Sequence, residues 1–135
     1  MKISNSDKSV RGKRSLRTFT ARSGVYNHSA ITFSRKTARD LDIFAGGKFA
    51  IYESESGDLY ISVNAASGNS IKAGKAGMNN KTILPEYRVS DKDSVLKIMQ
   101  RFKATKVVSC FLSALPIFVD EIAYYKVIDT PYRID

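Results

Sequence analysis

Cysteine and histidine are nearly absent from this 135-residue chain: Cys110 and His28 are the only ones. One cysteine forms no internal disulfide, and one histidine with one cysteine makes no zinc set within a single chain. No metal site and no cofactor are therefore expected. A chain of this length buries about two-thirds of its unfolded surface, so its core needs no such staple. Long apolar runs are also missing. Nothing approaches the ~20 residues that cross a bilayer, and no apolar stretch follows the first charges as in a signal peptide. An intracellular, cytoplasmic protein without membrane contact is expected.

Acidic residues are scarce in one place. Up to Arg39 the chain has ten Lys and Arg against one acid, Asp7, whereas the remainder is balanced at twelve and twelve. The whole formal charge of +9 thus falls in the first 39 residues. A charge needed only for solubility has no reason to be so confined. "KSVRGKRSLRTFTARSG", Lys8 to Gly24, holds six basic residues and no acid.

Hydrophobic patterning divides the chain into a basic arm (1–22), a first unit (23–64), a linker or loop (65–82) and a second unit (83–135). In the arm, Val10, Leu16 and Phe19 are too sparse to define a face. "AITFS", "KFAIYES" and "LYISVN" read as strands, with Ser34 capping a short helix from Arg35 to about Leu41. The segment 65–82 is rich in Gly, Ser, Asn and Lys without period. In the second unit, "EYRVS" reads as a strand. Ser90 with Asp93 resembles a capping box, and Val95, Ile98, Met99 and Phe102 mark a helix over 91–103. "KVVSCFLSA" and "EIAYYKVID" are strand-rich and bridged by "LPIFVD". Both units run β-α-β-β. The expected fold class is α+β: a small β-rich domain of two β-α-β-β units whose shared order reads as an internal duplication, arranged as a barrel or as a sheet with helices on one face, and preceded by the basic arm.

No group of residues stands at catalytic spacing, so an enzyme is not expected. "GNSIKAGKAG" fails as a phosphate loop: five residues separate Gly68 from Gly74, and Ala76 replaces the magnesium-binding hydroxyl. Glu53, Glu55 and Asp58 read as a solvated hairpin tip. Cys110 lies among Val107, Val108, Phe111 and Leu112 as a buried, inert thiol.

The basic residues carry the functional expectation. Arg11, Lys13, Arg14, Arg17 and Arg22 stand among hydroxyl residues that also donate to phosphate oxygens. Arg35, Lys36 and Arg39 fall on the first helix, two of them in its first turn, where cations oppose the helix dipole; a bound phosphate reverses that sign. Lys48 adds to the same patch. On the first hairpin, alternation points Phe49, Ile51, Leu59, Ile61 and Val63 to the core and leaves Tyr52 and Tyr60 outside, where rings stack on one another or on bases.

Residues 31–51, "ITFSRKTARDLDIFAGGKFAI", resemble the swapped-hairpin transcription factors of the AbrB and MazE type. Ile31 and Phe33 take the first strand positions, Arg35 and Arg39 the basic helix, Leu41 and Ile43 the following apolar pair, Gly46 the turn, and Phe49 and Ile51 the next strand. Ser34 replaces the usual proline, Asp42 the glycine before Ile43, and Gly47 an acidic residue. The resemblance implies intertwined protomers whose basic loops contact DNA.

The expectation is a nucleic-acid-binding protein, a DNA-binding transcriptional regulator or architectural protein of bacterial or phage origin, with DNA or RNA as partner. Two alternatives stand beside it: single-stranded nucleic-acid binding on a sheet face, and a phage assembly or inhibitor protein docking an acidic protein partner. A homo-oligomer is expected through the apolar C-terminal half, including Phe111, Leu112, Leu115, Ile117, Phe118, Tyr124 and Tyr125.

Overall fold

The computed structural model describes residues 17–24, 29–74, 86–131 and 133–134. Among these residues eleven strands and two helices follow one another: β1 Thr18–Arg22, β2 Ala30–Phe33, α1 Arg35–Asp40, β3 Lys48–Glu53, β4 Leu59–Ser62, β5 Asn69–Ser70, β6 Lys72–Ala73, β7 Tyr87–Ser90, α2 Lys92–Phe102, β8 Val107–Phe111, β9 Ile117–Val119, β10 Ile122–Lys126 and β11 Arg133–Ile134. The strands form two antiparallel sheets, six-stranded β11-β8-β1-β2-β7-β6 and five-stranded β5-β3-β4-β10-β9. The described residues are thus α+β, mostly sheet, without a closed barrel. The sheets meet at two seams. Only the buried Ile71 separates β5 from β6, and an isolated bridge joins Leu112 to Val127 beyond the ends of β8 and β10.

Alternation explains which faces are buried. Phe19 and Ala21 of β1, Ile31 and Phe33 of β2 and Val89 of β7 point inward, while Thr20, Thr32 and Arg88 stand between them. In the other sheet Phe49, Leu59 and Ile61 point inward as their spacing requires, and Ile51 is partly buried against the same core. Val95, Ile98 and Met99 of α2 complete it, at the helical spacing read from the sequence. Each fully buried side chain of this size contributes about 1.5–3 kcal/mol of transfer free energy.

Several boundaries differ from the sequence reading. The range read as an arm ends inside the fold, because Thr18–Arg22 is a strand paired on both sides, to β2 and to β8. Residues 1–16 lie outside the described residues. The segment read as a linker contains β5 and β6, which pair with β3 and β7. Gly68 makes that docking feasible: it sits at φ +138°, and a Cβ there would lie 2.1 Å from the Phe49 carbonyl oxygen. Residues 75–82 of the same segment are not described. "LPIFVD", read as a bridge, contains β9. Finally, α2 is capped by Asp91 rather than Ser90, its side chain accepting from the Ser94 N–H at 3.0 Å.

The two units are not separate bodies. β2 pairs with β7 and β4 with β10 across the boundary between them. β1 lies between β2 and β8, and the β5–β6 strip pairs with β7 and with β3. Both helices end alike. Ile43 N–H reaches the Ala38 carbonyl and Ala104 N–H the Met99 carbonyl, both at 2.9 Å. Asp42 and Lys103, just before those residues, both adopt the left-handed region, at φ 52° and 55°.

Candidate nucleic-acid interface

Helix α1 is fastened to the start of β1. Ser34 caps it, its Oγ accepting from the Thr37 N–H at 3.2 Å, and the buried Thr37 hydroxyl donates to the Thr18 carbonyl at 2.7 Å. The cap occupies one of the free N–H groups that an anion would meet at a helix start. In a helix of six residues the remaining dipole is small, so any anion affinity here rests on side chains.

Those side chains gather around Asp40. Lys36 Nζ lies 2.8 Å and Arg17 Nε 3.4 Å from Asp40 Oδ2. The hydrogen-bonded Lys36, and then Arg17, hold the Asp40 carboxyl below the usual carboxylate range. Arg17 is also tied elsewhere: Nη1 donates to the Ala114 carbonyl at 2.8 Å, and the guanidinium carbon lies 5.7 Å from the centroid of the Tyr125 ring. This arginine, expected on phosphate, is an internal clamp. Arg35 and Arg39 are exposed on the same helix, and their side chains make no ion pair or hydrogen bond with a described residue. The Arg22 side chain, at the far end of β1, is likewise exposed and unpaired among the described residues.

The other sequence candidates are scattered. Arg11, Lys13 and Arg14 fall outside the described residues but join the fold at Arg17. Lys48 is half-buried and donates to the Ser70 hydroxyl at 2.8 Å, tying β3 to β5 rather than completing the α1 patch. Tyr52 and Tyr60 face each other across β3 and β4, their ring centroids 6.0 Å apart. Tyr124 of β10, which sequence reasoning placed only in an apolar surface, lies 6.1 Å from Tyr52 in an edge-on arrangement. The Tyr52 ring thus packs against both others, and of the three only Tyr52 is exposed.

The acidic hairpin tip has partners after all. Asp58 lies 3.4 Å from Arg101 and 3.7 Å from Lys126, and Glu53 lies 3.6 Å from Lys97. These carboxylates pin α2 to the β3–β4 hairpin. Among the described residues no group of histidine, cysteine, aspartate or glutamate is arranged to hold a metal ion, and no helix is long and apolar enough to cross a membrane.

Sequence reasoning missed a second basic feature. Lys72 of β6 stands directly opposite Arg88 of β7, both exposed. The pair was invisible because β6 lies in the segment read as linker, and a register across strands leaves no local signal. Comparison with protein-family models, with curated proteins and with solved structures finds no match for this chain.

Proposed function

We propose that this protein binds nucleic acid, as a DNA-binding regulator or architectural protein of bacterial or phage type, through a basic arm and the patch on α1. One observation carries the reading. The Arg17–Asp40–Lys36 cluster holds the start of β1 against α1, so the segment bearing Arg11, Lys13 and Arg14 joins the fold beside the free cations Arg35 and Arg39. Four cations against one carboxylate leave a net positive patch, continuous in sequence with the arm.

The likeness to swapped-hairpin transcription factors is supported by Asp42. It occupies the position where that motif carries glycine, and its backbone lies in the left-handed region that glycine favours. The reciprocal pairing of the two units and the matched helix ends support an internal duplication, in which one chain supplies both halves of a structure that the resembling proteins build from two protomers.

The experiment is fluorescence anisotropy of the full chain with labelled duplex and single-stranded oligonucleotides over a salt series. Replacing Arg11, Lys13 and Arg14 by serine is expected to lower the log–log salt slope by about three units, at roughly 0.9 per phosphate contact on duplex DNA. An unchanged slope would remove the arm from the interface. No binding to either oligonucleotide at low salt would reject nucleic acid, leaving an acidic protein surface as the partner of the same cations. Self-association through the exposed apolar residues around β9 belongs to the same proposal.

A further inference from the structure

The pairing registers place a single polar row across the outer face of the six-stranded sheet. Reading from β6 to β8, Lys72 stands opposite Arg88, Arg88 opposite Thr32, Thr32 opposite Thr20, and Thr20 opposite Ser109. Residues directly opposite in antiparallel strands share a face. The neighbours Phe19, Ala21, Ile31 and Val89 turn to the core, so the row turns away from it, exposed at Lys72 and Arg88, half-buried at Thr32 and Thr20 and covered at Ser109. At about 4.8 Å between strands, its accessible part, from Lys72 to Thr20, extends about 14 Å.

Its chemistry is that of a phosphate track. Lys72 and Arg88 are exposed, and their side chains make no ion pair or hydrogen bond with a described residue. Like charges directly opposite destabilise a sheet, and no ion pair with a described residue relieves this pair. An anion lying between them reverses the sign, meeting a guanidinium able to donate two parallel bonds and an ammonium beside it. Thr32 and Thr20, both half-buried, continue the row with neutral hydroxyls that bond to phosphate oxygens, and the row ends at the buried Ser109, whose hydroxyl lies 2.8 Å from that of Thr20. Arg22, two residues along β1 from Thr20, is exposed on the same face; Glu86, two residues before Arg88, is the exposed acid near its edge.

We propose that this row binds the sugar–phosphate backbone of a nucleic acid, as a second contact surface distinct from the α1 patch. The inference rests on the nucleic-acid reading above, and it names a site that the reading did not contain. Contact through phosphates alone makes the surface indifferent to base sequence.

The test uses the full chain in three forms: wild type, Lys72→Ser with Arg88→Ser, and Lys72→Glu. Wild-type binding with a salt slope that falls by about two units in the double serine variant, equally for unrelated oligonucleotide sequences, supports the track. Lys72→Glu is the decisive form. It places an opposite charge across from Arg88, so thermal stability is expected to hold or rise while affinity falls, a combination that loss of fold cannot produce. Wild-type binding with the slope and affinity of both variants unchanged overturns the track and leaves the α1 reading standing. A drop in stability for Lys72→Glu overturns the premise that the two cations repel. Failure of the wild type to bind any oligonucleotide removes both.

Discussion

Arg17 reaches Asp40 across 23 residues of chain, Nε to Oδ2 at 3.4 Å, and with this contact the last basic residue before β1 is committed to holding the fold together. The bond to the Ala114 carbonyl and the Tyr125 ring beneath the guanidinium link α1, β1 and β10 through one side chain. Cation–π contact at a partly exposed site is worth about 0.5–1 kcal/mol and a partly exposed ion pair about 0–1 kcal/mol. Arg17→Ala is therefore expected to cost about 1–2 kcal/mol, read from the urea midpoint. Arg35→Ala, at an exposed and unpaired position, is expected to stay within about 0.5 kcal/mol of wild type. Equal losses in the two variants would contradict the clamp.

Asp40 gives the complementary prediction. Its carboxylate neutralises Lys36 and Arg17, so Asp40→Asn frees positive charge at the junction of arm and domain. Oligonucleotide affinity at low salt is expected to rise and its salt dependence to steepen. A fall in affinity without a fall in stability would place the carboxylate itself in the interface.

The two left-handed helix ends differ in how well their residues tolerate that backbone. Aspartate accepts φ near +50° more readily than lysine, because its short polar side chain bonds locally. Lys103→Gly is expected to stabilise the protein by about 0.5–1 kcal/mol, relief of strain exceeding the added freedom of the unfolded chain. Asp42→Gly is expected to gain less. Denaturant midpoints of both variants check the order, and a larger gain at Asp42 would show that its side chain contributes no local bond.

The sequence made local features legible and long-range pairing invisible. The α2 period, the Ser34 cap and the alternation of β3 and β4 are written within a few residues, and the structure carries them. β1 was hidden because Thr18–Arg22 alternates only two apolar residues, Phe19 and Ala21, within a basic run, and its status as an interior strand comes from β2 and β8 far along the chain. β5 and β6 are two residues each and owe their existence to their partners. The same limit applied to function. Basic residues were counted correctly, but which of them are spent on the fold, as Arg17 and Lys48 are, and which stay free, as Arg35 and Arg39 do, is decided by contacts that no spacing encodes.

Cys110 is fully buried on β8, one strand in from the edge of the six-stranded sheet, and burial pushes its thiol up to about 12 from an ordinary value of 9.0. An acid whose folded pKa is raised contributes stability that is present below its unfolded pKa and is lost as pH rises toward the folded one. Stability is thus expected to fall from about pH 9 upward with a component that Cys110→Ala lacks, up to about 1.4 kcal/mol per pH unit. The thiol is also expected to resist alkylation at pH 8 and to react once the protein is unfolded in urea. Rapid labelling of the native protein would mean that β8 opens locally.

The β9–β10 hairpin carries the last prediction. Its loop, Asp120 and Glu121, has φ 52° and 69°, the two positive values of a tight primed turn that normally takes asparagine and glycine. Among the described residues β9 is the edge of its sheet, three residues long and paired with β10 alone. Consecutive strand residues point to opposite faces, yet Ile117 and Phe118 are 42% and 68% exposed, and Leu115 just before them 81%. Both faces of this end of the hairpin are therefore uncovered, beside an edge with free backbone groups, and such an edge is a template for pairing with another chain. A second copy placing its own β9 antiparallel satisfies those groups and covers Phe118 on both sides of a two-fold axis. Sedimentation of the wild type is expected to show concentration-dependent dimers at micromolar levels. Phe118→Lys, which puts a charge on the edge without touching the core, is expected to remain folded with its melting temperature little changed and to sediment as a monomer. A wild-type protein that stays monomeric throughout that range would overturn the dimer, and a Phe118→Lys variant that still dimerises would move the interface away from β9.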